Sequence, residues 1–491
     1  MWYHKNYAEG KIRLPRADPT QTDPVVVPFQ TKGKEARMNL TFMAQFLLVL
    51  QNINKVLTTL FLVCYSYQFF FIFISLFWKP RTPKESVPHK FAVIISARNE
   101  EAVIGGLIDS IKNQTYPSEL ITTFVIADNC TDATAEISRE AGAVVYVRND
   151  LTKIGKGYAI DYLMERINED YPADAFDAFI VFDADNILEK NYIEEMNKTY
   201  SAGYKVVTSY RNSKNYGDNW ISAGYALWFL REARYLNAAR MVLGTSCAVS
   251  GTGFLFDRST VSTGENGKLE WKYFLLTEDI QFTTVNILSG VRVGYCGTAH
   301  FYDEQPTKFR QSWHQRLRWG RGYLQVYRHY GLKLIKGIFR RRRSESESRT
   351  NFACFDMAMT IMPAMILSLM ILAVDIIGMV GTLMTLFEIG STFGHAIWLI
   401  VGPLLRANAM MFVLGIITTI TEWRNIHTTT WKKILYIITF PIFMLTYIPI
   451  AVASFFAKVS WKHIEHSRSL SLDDVKSGNK KAGEVEPPKD E

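Results

Sequence analysis

The chain has 491 residues, enough for one large domain and a second unit, and its formal charge of +8 with a pI near 9.0 raises nucleic acid as a partner. Its basic residues gather beside apolar segments, as at Arg340 to Arg343, where anionic lipid is the simpler partner, so nucleic-acid binding is discounted. Five cysteines (64, 130, 247, 296 and 354), with neither CxxC nor metal-ligand spacing, argue against a disulfide or zinc framework and fit a reducing compartment.

In chain order, residues 1–37 carry Pro15, Pro19, Pro24 and Pro28 among scattered Lys and Arg, lack a secretory signal, and read as a flexible basic arm. Residues 38–80 form an apolar region: Val56 to Phe77 is uncharged and long enough to cross a hydrocarbon core of about 30 Å as a helix. The shorter Leu40 to Leu50 reads as an interfacial helix or as half of a tight hairpin. Beyond Lys79-Pro80-Arg81 the pattern becomes α/β. Apolar runs at Phe91 to Ser96, Ile121 to Ala127, Val144 to Val147 and Ala178 to Phe182 predict strands. Helices are expected after them from about residues 100, 131, 156 and 189. Such alternation implies a mostly parallel sheet with helices on both faces, and ligands in these sheets lie beyond the carboxyl ends of the strands.

Those ends read Arg98-Asn99-Glu100, Asp128-Asn129-Cys130-Thr131-Asp132 and Asp183-Ala184-Asp185. Asp132 suits a helix cap. Asp183 and Asp185 differ, because two carboxylates one residue apart after a buried strand repel unless a cation lies between them. Oxygen ligands suit Mg²⁺ or Mn²⁺, with the phosphates of a nucleoside diphosphate completing the shell. Lys153-Ile154-Gly155-Lys156-Gly157 reads equally as a diphosphate contact or a solvated turn. Gly251-Thr252-Gly253 marks a close backbone approach to a ligand or a simple turn. Thr277-Glu278-Asp279 supplies an acid pair able to act as base on an acceptor hydroxyl, or to cap a helix. Gln315-Arg316-Leu317-Arg318-Trp319 joins forked cations to an indole, which on its own describes an interfacial helix.

Together, in this order, these motifs resemble the processive membrane glycosyltransferases of family 2, the cellulose, chitin and hyaluronan synthases, over roughly residues 91–322. The resemblance implies a GT-A catalytic domain (81–345) in the cytosol, set between transmembrane helices of a multi-pass plasma-membrane protein. It implies an inverting, UDP-sugar-dependent hexosyltransferase that extends a β-linked polysaccharide and passes it across the bilayer. By position Glu100 and Asp128 would hold the uridine, Lys156 the diphosphate or sugar, and Asp183 and Asp185 the UDP and its divalent metal. Asp279, beside Glu278, would be the base; Gln315, Arg318 and Trp319 would meet the diphosphate and the acceptor, and Gly251 and Thr252 would line the sugar pocket. UDP-glucose and a cellulose-like or mixed-linkage β-glucan are the favoured pair. The alternatives are a UDP-GlcNAc-using chitin- or hyaluronan-like synthase, a non-processive transferase to a lipid acceptor, and an inactive membrane scaffold subunit. Two family features are missing: the gating loop, whose place is taken by Arg340 to Arg349, and a PilZ-type region. An oligomer is neither required nor argued against.

Residues 346–458 form the C-terminal membrane region, with crossing candidates at Phe355 to Leu386, His395 to Ile420 and Ile434 to Phe456. Arg406 lies within one of them, either facing a polar channel or paired. Residues 459–491 are polar and charged and read as a disordered tail.

Overall fold

The computed structural model describes residues 34–263, 267–340, 345–361, 363–384, 393–459, 464, 466 and 470–478. The arm up to residue 33, Arg341 to Ser344 of the basic segment and most of the polar tail lie outside them.

A long helix α1 (Lys34–Phe77) is followed by alternating elements: β1 (Phe91–Ala97), α2 (Ile104–Lys112), β2 (Ile121–Asp128), α3 (Thr134–Glu140), β3 (Val144–Arg148), α4 (Lys156–Asp170) and β4 (Ala178–Asp183). Next come β5 (Ile187–Leu188), α5 (Tyr192–Ser201), β6 (Val206–Ser213) and α6 (Trp220–Arg231), which passes through a π-helical turn at Glu232–Asn237 into α7 (Ala238–Leu243). β7 (Phe254–Asp257), a small ribbon of β8 (Ser262–Thr263) and β9 (Lys268–Leu269), α8 (Glu278–Leu288) and β10 (Val293–Asp303) complete the α/β part. Helices α9 (Phe309–Ile338), α10 (Glu345–Ile361), α11 (Pro363–Met384), α12 (Phe393–Thr421), α13 (Thr430–Leu445), α14 (Tyr447–Phe456) and α15 (Leu472–Ser477) follow.

The main sheet runs β3-β2-β1-β4-β7-β6-β10-β5. The first four strands in that order are parallel, β7 is antiparallel to both its neighbours, and β10 is parallel to β6. Strand order reverses between β1 and β4, the place where an open α/β sheet leaves a crevice beyond its carboxyl ends. Successive side chains of β1 take opposite faces, as a two-residue period requires. Ala92 and Ile94 pack with Ile160, Leu163 and Met164 of α4 and with Leu227 of α6. Phe91, Val93 and Ile95 pack with Ile104, Leu107 and Ile108 of α2 and Ile193 of α5. The expected doubly covered, mostly parallel sheet is therefore present.

The chain divides into two compact units, one from residues 1–57 and 371–403, the other from 58–370 and 404–491. In the first, Asn54 donates to the Asp375 carboxylate, and the side chain of Leu47 lies close to Gly381. The second contains the sheet. Among the described residues four helical stretches are long and apolar enough to cross a membrane: Phe42–Phe77, Ala364–Met384, Ala396–Thr421 and Thr430–Phe456.

Three features differ from the sequence reading. The N-terminal apolar region is one continuous helix from residue 34, neither hairpin nor separate short helix, because no Gly or Pro interrupts 34–77. Residues 355–361 of the first C-terminal crossing candidate belong instead to α10, where Asp356 makes a two-pronged buried ion pair with Arg240 at 2.7 and 2.9 Å and accepts a hydrogen bond from Tyr67. Residues 472–477 of the tail are helical: Ser471 and Asp474 cap α15, Leu470 and Val475 are buried against Ile187 and Tyr302, and Lys476 pairs with Glu189 at 3.0 Å. Arg406 is exposed on α12 and has no carboxylate partner among the described residues.

Candidate active site

Two asparagines in the left-handed backbone region shape the crevice. Asn99 (φ 54°) and Asn129 (φ 55°) follow β1 and β2, where short amide side chains tolerate that conformation by bonding locally. Asn99 Oδ1 accepts from the Thr131 amide at 2.8 Å, and Asn129 Oδ1 from the Asp150 amide at 2.8 Å. Asp132 serves the backbone as expected of a turn residue, accepting from the Glu101 and Thr134 amides.

These turns set Glu100 and Asp128 at adjoining strand ends. Asp128 is buried and bound by Arg148 at 2.6 Å; burial pushes its carboxyl up while Arg148 pulls it down. Glu100 is buried too, and burial pushes it up to about 7 against the pull of His466. The His466 imidazole lies 3.0 Å from both Glu100 oxygens. Burial would lower His466, but the Glu100 and Asp185 carboxylates outweigh it and hold the ring at about 10.

At the end of β4, Lys156 Nζ bonds Asp183 Oδ1 at 2.6 Å and the Gly251 carbonyl at 2.8 Å. Burial would raise Asp183; Lys156 overrides it and keeps the carboxyl below its usual range. Asp185 accepts from the Glu304 amide at 2.6 Å, and Thr252 Oγ1 accepts from the Asp183 amide at 2.9 Å. Gly253 (φ 63°) brings the chain from the 251–253 loop alongside β4, donating to the Val181 carbonyl at 2.9 Å; a Cβ there would lie 2.2 Å from the Phe301 ring. Behind these groups Arg211 grips Asp303, bonds the Ser250 carbonyl at 3.0 Å and lies 3.6 Å over the ring of Phe229.

Glu278 and Asp279 open α8, half-buried, and a Cβ on Gly251 would stand 3.9 Å from Asp279 Oδ2. Burial raises both carboxyls and their mutual repulsion adds to it in Glu278, while Lys156 and Arg318 oppose it. Helix α9 rests on this turn: Gly322 is small because the Thr277 side chain fills the space a Cβ would take. Gln315, Arg318 and Trp319 do not act alike. Arg318 reaches the charge of Glu278 and Asp279; Gln315 Oε1 is buried without a hydrogen bond among the described residues; Trp319 sits edge-on to Tyr225 and Phe229 at 5.7 and 6.1 Å. Arg316 is structural: its guanidinium is buried against Phe443 and Tyr447 at 4.5 and 4.7 Å and donates to Thr446 at 2.6 Å.

The structure thus brings Lys156, Asp183, Thr252 and Asp279 around the loop at Gly251, sets Arg318 within reach of the charge of Glu278 and Asp279, and puts Glu100 within reach of the charge of Asp183 and Asp185, while Asp128 pairs with Arg148 at the end of the neighbouring strand. Sequence reasoning missed Arg148, Arg211, Asp303 and His466. An Arg on a strand, an Asp at the end of a late strand and a His in a polar tail carry no local signal. Among the described residues no three His, Cys, Asp or Glu side chains cluster closely enough to hold a cation unaided.

Comparison with known proteins adds the following. Residues 88–322 match the family described as Glycosyltransferase like family 2. Over 275 residues the chain is 25% identical to a probable glycosyltransferase, YdaM, of Bacillus subtilis (strain 168), covering 52% of this chain and 59% of that protein. Over 247 residues it is 25% identical to the beta-monoglucosyldiacylglycerol synthase of Synechocystis sp. (strain ATCC 27184 / PCC 6803 / Kazusa), covering 50% of each. The match therefore spans little more than half the length of these curated relatives. The fold is similar to that of the mannosyltransferase PcManGT from Pyrobaculum calidifontis, solved with GDP-Man and Mn2+, with a TM-score of 0.51, 13% identity, and 83% of this chain and 99% of that one covered. The α/β part of this chain has a GT-A-like fold, and residues 88–322 of it are similar to glycosyltransferase family 2.

Proposed function

We propose that the protein transfers a hexosyl group from a UDP-sugar, with inversion, to a hydroxyl of a membrane-lipid acceptor. The observation that carries the reading is the meeting of Asp279, Lys156 and Asp183 at the Gly251 loop: the candidate base and the candidate diphosphate contact adjoin one loop. Asp279 takes the proton of the acceptor hydroxyl as its oxygen bonds the anomeric carbon. The bond from that carbon to the diphosphate oxygen breaks, and UDP leaves with charge that Lys156 and Arg318 neutralise. Glu100 and Asp128 hold the nucleoside end.

A divalent cation fits the donor set in part, since Asp185 and Asp183 offer carboxylate oxygens one residue apart, with the phosphate oxygens of a bound nucleotide needed to complete the shell. Asp185 and Asp183 would hold it, and it would supply charge neutralisation at the diphosphate. PcManGT, similar in fold, was solved with Mn2+.

The lipid acceptor is preferred to a growing polysaccharide because a relative of this chain is named for a glucosyl lipid. The chain's own helices of membrane-spanning length suit an acceptor held in the bilayer. Processive β-glycan synthesis remains the second reading, favoured by Trp319 in its aromatic setting. The test is to supply purified protein with UDP-glucose, UDP-N-acetylglucosamine or UDP-glucuronate, Mn²⁺ or Mg²⁺, and detergent-dispersed lipid acceptors, then to size the product. A glycolipid with one added sugar is expected, and chelation should abolish it. A polymer would establish the second reading, and no UDP release with any donor would refute both.

A further inference from the structure

Glu232 is a carboxylate near the base that makes no ion pair among the described residues and does not follow a strand of the sheet. It begins the π-helical turn after α6, a local widening that recurs at functional sites. Its carboxylate accepts from the Ser250 hydroxyl, next to Gly251, where a Cβ would stand 3.9 Å from Asp279 Oδ2. The half-buried Tyr323 feels the charge of both Glu232 and Asp279. Tyr323 lies on the α9 face that also carries Gln315 and Trp319, since residues four apart stack on a helix. Gln315 Oε1 on that face is buried and lacks a hydrogen bond. On the other side, Arg231 donates to Gln68 of α1 at 2.8 Å and lies 4.6 Å over Trp228. Glu232 thus contacts the 250–253 loop that Lys156 and Asp183 also contact, and its chain neighbour Arg231 reaches α1.

We propose that Glu232 is a specificity-determining residue for the acceptor, and that the acceptor head group carries at least two hydroxyls, as in a sugar or polyol lipid. This rests on the transfer reading above. One hydroxyl meets Asp279 and reacts; a second donates to Glu232, which has accepting capacity left after Ser250. Trp319 and Tyr323 offer aromatic edges to the ring or chain between them. A head group with a single hydroxyl, as in diacylglycerol, would leave the accepting capacity of Glu232 beyond its Ser250 hydrogen bond unfilled, and a site built to bond a hydroxyl discriminates strongly against a ligand lacking it.

The experiment uses the full chain with the UDP-sugar it turns over, comparing diacylglycerol with monoglucosyl-diacylglycerol in mixed micelles. Wild type is expected to favour the glucosylated lipid by about tenfold or more in kcat/KM. Glu232→Gln should bring the ratio close to one, while UDP affinity by calorimetry and acceptor-free UDP release stay unchanged. Ser250→Ala, which keeps the carboxylate, should keep the preference. A ratio untouched by Glu232→Gln, a wild type that prefers diacylglycerol, or a loss of UDP affinity in step with transfer would each overturn the assignment. A wild type that neither binds UDP nor releases it overturns the transfer reading itself, and this one with it.

Discussion

The Nδ1 atom of His466 stands 3.0 Å from each carboxylate oxygen of Glu100, a residue 366 positions earlier in the chain. The pair carries both charges between about 7 and about 10. His466 is raised above its ordinary 6.5, so its stabilising share is complete below 6.5 and lost as pH climbs through about 10. Replacing it with Ala should cost about 1–3 kcal/mol at pH 8, by loss of a charged hydrogen bond. The wild-type advantage in thermal midpoint over His466→Ala should be clear at pH 8 and gone above pH 10.

Asp279→Asn removes the proposed base without removing volume. Transfer should fall by about 10²- to 10⁴-fold, with UDP affinity retained. Because burial raises the Asp279 carboxyl above its ordinary 3.8, the kcat/KM profile of wild type should rise with pH through a value above that figure. The base must lose its proton to act, hence the sign. A rate already flat from pH 4 upward would contradict the assignment.

Gly253→Ala places a methyl group 2.2 Å from a Phe301 ring carbon, at a φ of 63° that side chains disfavour. A loss of about 1–3 kcal/mol from the backbone alone is expected, with steric cost added. Thermal unfolding of the purified variant measures it, and an unchanged midpoint would mean Gly253 does not lie against Phe301 as described.

Asp356→Asn strips the buried Arg240 guanidinium of its counter-charge. Breaking a buried pair from one side costs about 3–5 kcal/mol. Denaturant midpoints should report that loss, whereas the double change Arg240→Met with Asp356→Leu should recover much of it.

The first half of the sheet was legible because four parallel strands, buried in β1 and β4 and partly so in β2 and the edge strand β3, write themselves as apolar runs between Phe91 and Phe182, each followed by a helical pattern. The acidic strand ends were legible for a related reason: Asp183 and Asp185 stand where a buried strand must stop. The second half was not. β7 holds four residues, β5 two, and β10 shifts register between Cys296 and His300, so periodicity never accumulates. The Arg211–Asp303 pair joins residues 92 apart, a contact created by the parallel pairing of β6 with β10 and invisible to local pattern. His466 was hidden by its composition: a polar tail reads as unstructured until Leu470 and Val475 find the apolar patch at Ile187 and Tyr302. The aromatic motif on α9 was half legible, since type alone could not separate the buried, structural Arg316 from Arg318.

Arg316 also bears on how the enzyme can be handled. Its guanidinium is enclosed by Phe443, Thr446 and Tyr447, residues more than a hundred positions later where α13 meets α14. A soluble fragment that ends after α9 would leave that cation stranded in an apolar hollow, and would likewise cut Tyr210 of β6 from Glu422. Excising the catalytic half by truncation should therefore yield aggregate rather than enzyme, and purification in detergent or nanodiscs is the route the packing dictates.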